Sequence, residues 1–199
     1  MNKINTIIAL ATTEEIRQGM LWYRDAHKFV SSVSCPLRSA AALAALSPRN
    51  KWERNKQDLI SVYRQGATAT VATFNANKEK ALRVLDLETP VHEIRNILNG
   101  RKVVSFYNNV LHPTSDTTVT VDVWMYRLFN LPPNNVSYDA IERSIRTHAR
   151  SIGLLPHELQ AILWVIGRRL HASDYDFHKG LFASKFLRNK AGNEAIITV

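Results

Sequence analysis

The chain has 199 residues, 45% of them hydrophobic, and a formal net charge of +9. That balance suits one folded domain or two small lobes around a shared core, and excludes a disordered chain. Its single cysteine excludes an intrachain disulfide framework, a Cys-ligated zinc site and a four-cysteine iron–sulfur cluster, so no cofactor is expected.

The positive charge favours an anionic partner, nucleic acid first. Basic residues are spread over "SPRNKWERNK", "NGRK", "RSIRTHAR" and "GRRLHASDYDFHK", which predicts a folded basic face rather than a basic tail. No apolar run approaches the roughly 20 residues that span a bilayer. "INTIIALATT" lacks a long apolar region and a small-residue cleavage site, so it is not read as a signal peptide. A cytoplasmic monomer, in a bacterial cell or a phage-infected host, is the expectation, with no membrane partner.

In chain order, "TTEEIRQGMLWYRDAHKFVSSVS" predicts an amphipathic helix with a Thr cap signal. Thr13, Ile16, Met20, Tyr23, His27 and Val30 recur at helical spacing as its inner face. Cys35-Pro36 breaks it, and Cys35 is read as a packed small residue rather than a nucleophile. "LRSAAALAALS" is apolar nearly all round, which predicts a buried helix that neighbours approach closely. "RNKWERNKQDLISVYRQG" predicts a more polar helix stopped at Gly66. The stretch from 69 to 88 gives one or two short helices with Ala81, Leu82 and Leu85 inward, and Pro90 suits the first turn of a helix over 90–98.

Asn99-Gly100 is a turn signal, after which helical spacing resumes through Val103, Phe106, Tyr107, Val110 and Leu111. "HPTSDTT" predicts a loop, and "VDVWMYRLFNL" a helix closed by Pro132-Pro133. Ser137 is a cap candidate for a helix with Ile141, Ile145 and Ala149 inward, ended by Gly153. Pro156 opens the most apolar helix. The tail from 174 is expected to wrap the body, and only "AIITV" there looks strand-like. His171, His178, Asp174 and Asp176 show no metal spacing and are read as loop residues. The fold class is all-α with about nine helices, one unit over 1–199 with approximate lobes of 40–130 and of 1–39 plus 131–199.

Three stretches carry possible chemistry. Gly100 allows a tight hairpin, and the helix after it begins with free backbone N–H groups beside Arg101 and Lys102, suited to a phosphate. The plain alternative is a turn followed by two basic residues. Asp122 stands before a helix, where Asp is among the best caps; a capping Asp can also face a cleft. "ALSPRNKW" places Ser47, Arg49, Asn50, Lys51 and Trp52 at a corner, where Arg and Lys suit phosphates and Trp can stack on a base. Its alternative is a solvated helix start with Trp52 in the core.

The order of these stretches resembles the helix–hairpin–helix base-excision DNA glycosylase superfamily, nearest in wording to endonuclease III. "ILNGRK" ends like that family's hairpin L-P-G-V-G-R-K, which puts Lys102 at the position of the nucleophilic lysine. "VDVWMYRLF" matches its V-D-T-H-I-F-R-V through Val121, Asp122 and Arg127, with Asp122 at the catalytic carboxylate. "ALSPRNKWERNK" is similar to its L-L-S-A-Q…N-K corner through Leu46, Ser47, Asn55 and Lys56. The chain also resembles small bacteriophage proteins. It departs from the glycosylases in lacking the L-P-G-V half of the hairpin and the C-terminal cluster cysteines, and the interval from Lys102 to Asp122 is slightly longer.

The resemblance implies two helical lobes with a cleft between them. It implies excision of a damaged or modified base flipped from double-stranded DNA, with or without AP-lyase activity. Lys102 and Asp122 would be catalytic. Gly100, Arg101, Ser47, Arg49, Asn50 and Lys51 would bind DNA, with Arg49 or Asn50 filling the vacated space. Trp52, Tyr107 and Trp124 would wall the base pocket. The alternatives are a non-catalytic helix–hairpin–helix DNA-binding protein and a phage DNA-modification enzyme on the same fold.

Overall fold

The computed structural model describes residues 3–170. The expected tail, its "AIITV" segment and the residues His171, Asp174, Asp176 and His178 lie outside that range. Among the described residues the chain is all-α: α1 (Lys3–Ile8), α2 (Thr13–Val33), α3 (Pro36–Leu46), α4 (Trp52–Gln65), α5 (Asn75–Leu85), α6 (Ile94–Leu98), α7 (Arg101–Leu111), α8 (Val123–Phe129), α9 (Asn135–Ser151) and α10 (Pro156–Leu170). No single helix among them is long and apolar enough to cross a membrane.

The helix starts follow side-chain chemistry. Thr12, the first residue of the stretch with the Thr cap signal, caps α2 in a reciprocal box with Glu15, and Thr13, expected inward, is exposed. Cys35 is exposed rather than packed, and Pro36 behind it takes the first turn of α3, where its missing N–H costs nothing. Asn134, not Ser137, caps α9: its Oδ1 accepts the Ser137 N–H at 2.8 Å, and Ser137 is buried one turn in. The helix expected over 90–98 is a 3-10 turn, Val91–Glu93, leading into the short α6. Helix α1 is additional to those read from the sequence, because its apolar run was too short to carry a helical period.

α3 explains much of the packing. Residues Ser39 to Leu46 are buried on every side, and the small side chains between them let α2, α4, α5 and α7 close in. A first apolar cluster is built around it from Tyr23, Val30, Leu59, Val84, Leu98, Val110 and their neighbours. A second joins α1, α8, α9 and α10 through Ile4, Val121, Met125, Ile141, Ile145 and Leu163. The division therefore differs from 40–130 against the rest: α2 packs its middle with the first cluster, and α8 belongs to the second.

The two clusters meet where α2 lies along α10. The contact face of α2 is Gly19, Tyr23, Ala26 and Val30, so Met20, expected inward, is 37% exposed. The cause is Gly19. A Cβ there would stand 2.5 Å from the Ile162 Cα, so the backbones approach more closely than any side chain permits. Gly19→Ala, which ordinarily strengthens a helix, should instead destabilise the protein by about 1–3 kcal/mol through overpacking. Chemical denaturation measures this, and an unchanged midpoint and slope would contradict the close approach.

Candidate active site

The hairpin between α6 and α7 needs two residues at positive φ, Asn99 at 49° and Gly100 at 86°. Asn tolerates that region and Gly occupies it freely. The Lys80 ammonium donates to the Leu98 carbonyl at 3.1 Å and closes the end of α6. No side chain caps α7, so its first turn of N–H groups begins directly at Arg101 and Lys102.

Asp122 ends a buried non-helical segment whose Val119 and Val121 belong to the second cluster. Val119, Thr120 and Val121 are buried, and their polar groups are met from both sides. From α9, the Tyr138 hydroxyl donates to the Val119 carbonyl at 2.9 Å and accepts the Val121 N–H at 3.4 Å. From α7, the Asn109 Nδ2 donates to Thr120 Oγ1 at 3.0 Å. From α2, the Tyr23 hydroxyl lies 3.0 Å from Thr120 Oγ1 and donates to Gln160 Oε1 on α10 at 2.8 Å. Arg146 holds the loop before this segment through the carbonyls of Asp116 and Thr117.

The carboxyl that emerges is tightly held. Asp122 Oδ1 accepts the backbone N–H groups of Trp124 at 3.0 Å and Met125 at 3.2 Å, which caps α8. Oδ2 accepts the Trp164 indole N–H from α10 at 3.1 Å. Lys102, at the start of α7, faces it across the seam: each is half-buried, and each charge acts on the other. Burial pushes the Lys102 ammonium below the usual lysine range, and the Asp122 charge only partly restores it. Burial also pushes the Asp122 carboxyl up, against the lowering effect of Lys102 and the three N–H donors. Tyr23, buried nearby, is raised by desolvation, with Asp122 adding to the rise.

The other expected site residues divide. Arg49 is exposed, at φ 56°, with its guanidinium 5.4 Å from the centre of the exposed Phe74 ring, and Lys51 is exposed beside it. Asn50 is not available to a ligand in the same way. Its Nδ2 donates to the Leu46 carbonyl at 3.2 Å and to Asp58 Oδ2 at 2.8 Å, which ties the corner to buried Asp58. Ser47 donates back to the Ala44 carbonyl at the end of α3. Asn55, matched to the corner motif, is buried and donates to the Leu43 carbonyl.

Arg101 is also committed, to Asp139 at 2.5 Å and Glu142 at 2.6 Å, with its guanidinium 4.0 Å from the Tyr138 ring centre. Desolvation rather than Arg101 therefore makes Lys102 easier to neutralise. Tyr107 is buried in the first cluster. Trp124 is half-buried on α8, with Arg127 4.9 Å from its ring centre.

The aromatic wall next to Asp122 joins Trp52, expected in a base pocket, to Trp22 and Trp164, which the sequence did not single out. Half-buried Trp22 sits at the centre: its ring lies 4.8 Å from Trp52, 5.9 Å from Phe106 and 5.7 Å from Trp164. Cations bracket it, with Lys56 5.3 Å from the Trp52 ring centre and Arg168 4.6 Å from that of Trp164. The row thus runs from the Ser47–Trp52 corner to Asp122. The signal in the sequence was slight: Trp22 lies one position off the apolar stripe, and Trp164 stands in an apolar helix with an N–H that needs a partner.

Exchanging Lys102 for Met keeps the volume and removes the cation. The Asp122 carboxyl pKa should then rise further, as NMR titration of side-chain carboxyls would record. A fall or no change would mean that the two groups do not share one environment.

No curated protein and no solved structure matches the chain. A family model described as a family of unknown function, DUF7178, matches residues 1–171. The chain belongs to that family.

Proposed function

We propose that the chain is a DNA-binding base-excision glycosylase with AP-lyase capability, acting on a damaged or modified base turned out of duplex DNA. One observation carries this: half-buried Lys102, whose ammonium desolvation disfavours, and the half-buried Asp122 carboxyl act on each other at the starts of two helices, beside a row of tryptophans. The motif order supports it, as does the net charge of +9. The glycosylase-like arrangement of two lobes around a cleft is part of the same proposal.

In this reading the first-turn N–H groups of α7 and the exposed Arg49 and Lys51 hold backbone phosphates. Arg49 takes the vacated base position rather than Asn50, whose amide is occupied. The neutral Lys102 amine forms a bond to the sugar C1′ as the C1′–N glycosidic bond breaks, and the base leaves with the bonding electron pair and gains a proton. Asp122 stabilises positive charge on the sugar and takes a proton from the newly bonded amine. Opening of the sugar ring then yields the Schiff base from which strand cleavage proceeds.

The three donors on Asp122 favour a second reading, a non-catalytic DNA-binding protein in which Asp122 is only a cap. Asp122→Asn separates the two, because Asn also caps helices well. Duplexes carrying single modified bases, assayed before and after alkali, should show release by the wild type. The variant should retain DNA affinity and lose release by at least about 100-fold. Equal release by the variant would remove Asp122 from the chemistry. Salt-dependent binding with no release by either protein would favour the binding module. A base altered but retained would favour the DNA-modification alternative.

A further inference from the structure

Trp164 touches both the aromatic wall and the carboxylate. Its indole N–H donates to Asp122 Oδ2 at 3.1 Å, while its ring meets Trp22 at 5.7 Å and lies beneath Arg168 at 4.6 Å. Asp122 Oδ1 is already taken by two backbone N–H groups, so the orientation of Oδ2 is the remaining freedom of the carboxyl. An indole offers one donor and no acceptor, so it holds that oxygen in a single direction and cannot take its proton.

Its position is fixed in turn. Ile162 and Leu163, the residues before it on α10, are buried in the second cluster, and Ile162 lies directly against Gly19 of α2. Any movement of the Trp22–Trp164 contact therefore reaches Asp122 through one rigid ring. From these contacts we infer that Trp164 is a positioning residue: it sets the direction of the Asp122 carboxyl and couples it to whatever stacks on the Trp22–Trp52 wall. This deepens the proposed activity and rests on it for its kinetic consequence, though the coupling itself is a property of the free protein.

The groups that act on Asp122 electrostatically are known from each side. α7 supplies Lys102, while on α2 the buried Tyr23 hydroxyl is itself raised by the Asp122 charge. α10 supplies Trp164 with Arg168 over its ring. The acidic groups of α9, Asp139 and Glu142, are engaged by Arg101. Loss of the indole donor therefore leaves Lys102 and the cap as the counterweights to burial, and the carboxyl becomes harder to ionise.

The test has two arms on the full chain. In the first, the Trp164 indole proton is assigned by its absence in Trp164→Phe and followed by NMR as pH is varied. It should shift with the Asp122 titration in the wild type and stay flat in Asp122→Asn. A wild-type signal that ignores the Asp122 titration overturns the inference, whether or not any base is released. In the second, Trp164→Phe keeps the stacking ring and removes the donor. It should lower kcat for base release about ten- to hundredfold with little change in KM, and move the acidic limb upward by about one pH unit. Wild-type kcat and an unmoved limb would overturn the positioning role. Absence of release by the wild type would defeat the glycosylase reading and leave the first arm to decide the coupling. If Trp164→Phe does not fold, selective labelling of tryptophan provides the assignment, and the comparison with Asp122→Asn still decides.

Discussion

Everything near the candidate site depends on burying a short polar segment. Val119, Thr120 and Val121 are buried, the two valines in the second cluster, where an unmet N–H or C=O costs as much as a lost hydrogen bond. Tyr138 meets the Val119 carbonyl and the Val121 N–H, Asn109 and Tyr23 meet the Thr120 hydroxyl, and Gln160 holds the Tyr23 hydroxyl in turn. The same bonds that satisfy the segment also aim its last residue. Asp122 arrives at the start of α8 with its orientation already fixed, and the indole of Trp164 completes its hold.

Such a place is costly for charge, and this gives it chemical use. Burial opposes ionisation of both Lys102 and Asp122, so each moves from its ordinary range toward the other. A partly buried pair of this kind is weak evidence for stability, because desolvation can outweigh the mutual attraction. It is better suited to moving a proton or forming a bond, where a neutral amine beside a carboxylate is needed. The surrounding ionic contacts differ in kind. Arg101 with Asp139 and Glu142, and Arg146 with Glu142, pin α7 and the loop before Asp122 to α9, and hold the frame in which the pair sits.

Much of this frame was legible in the sequence because it rests on local rules. Gly66 and Gly100 mark turns that need positive φ, Cys35-Pro36 ends α2, and Pro156 opens a helix where a missing N–H costs nothing. The Gly-Arg-Lys and Val-Asp stretches stand at the starts of α7 and α8. What was hidden came from partners far along the chain. The apolar spacing of α2 points the stripe through Met20, whereas contact of Gly19 with Ile162 rotates the face. Nothing near Asn50 or Arg101 in sequence shows that Asp58 and Asp139 occupy them. Trp22 and Trp164 looked like ordinary members of apolar helices until their rings met beside Asp122.

The central claim is that Lys102 is the amine that reacts at the sugar, and trapping tests it most directly. The full chain would be incubated with a duplex containing an abasic site, reduced with borohydride, and the adduct mapped by mass spectrometry. The account predicts one adduct, on Lys102, that is lost in Lys102→Met. Adducts confined to exposed lysines such as Lys51, or none at all, would contradict it.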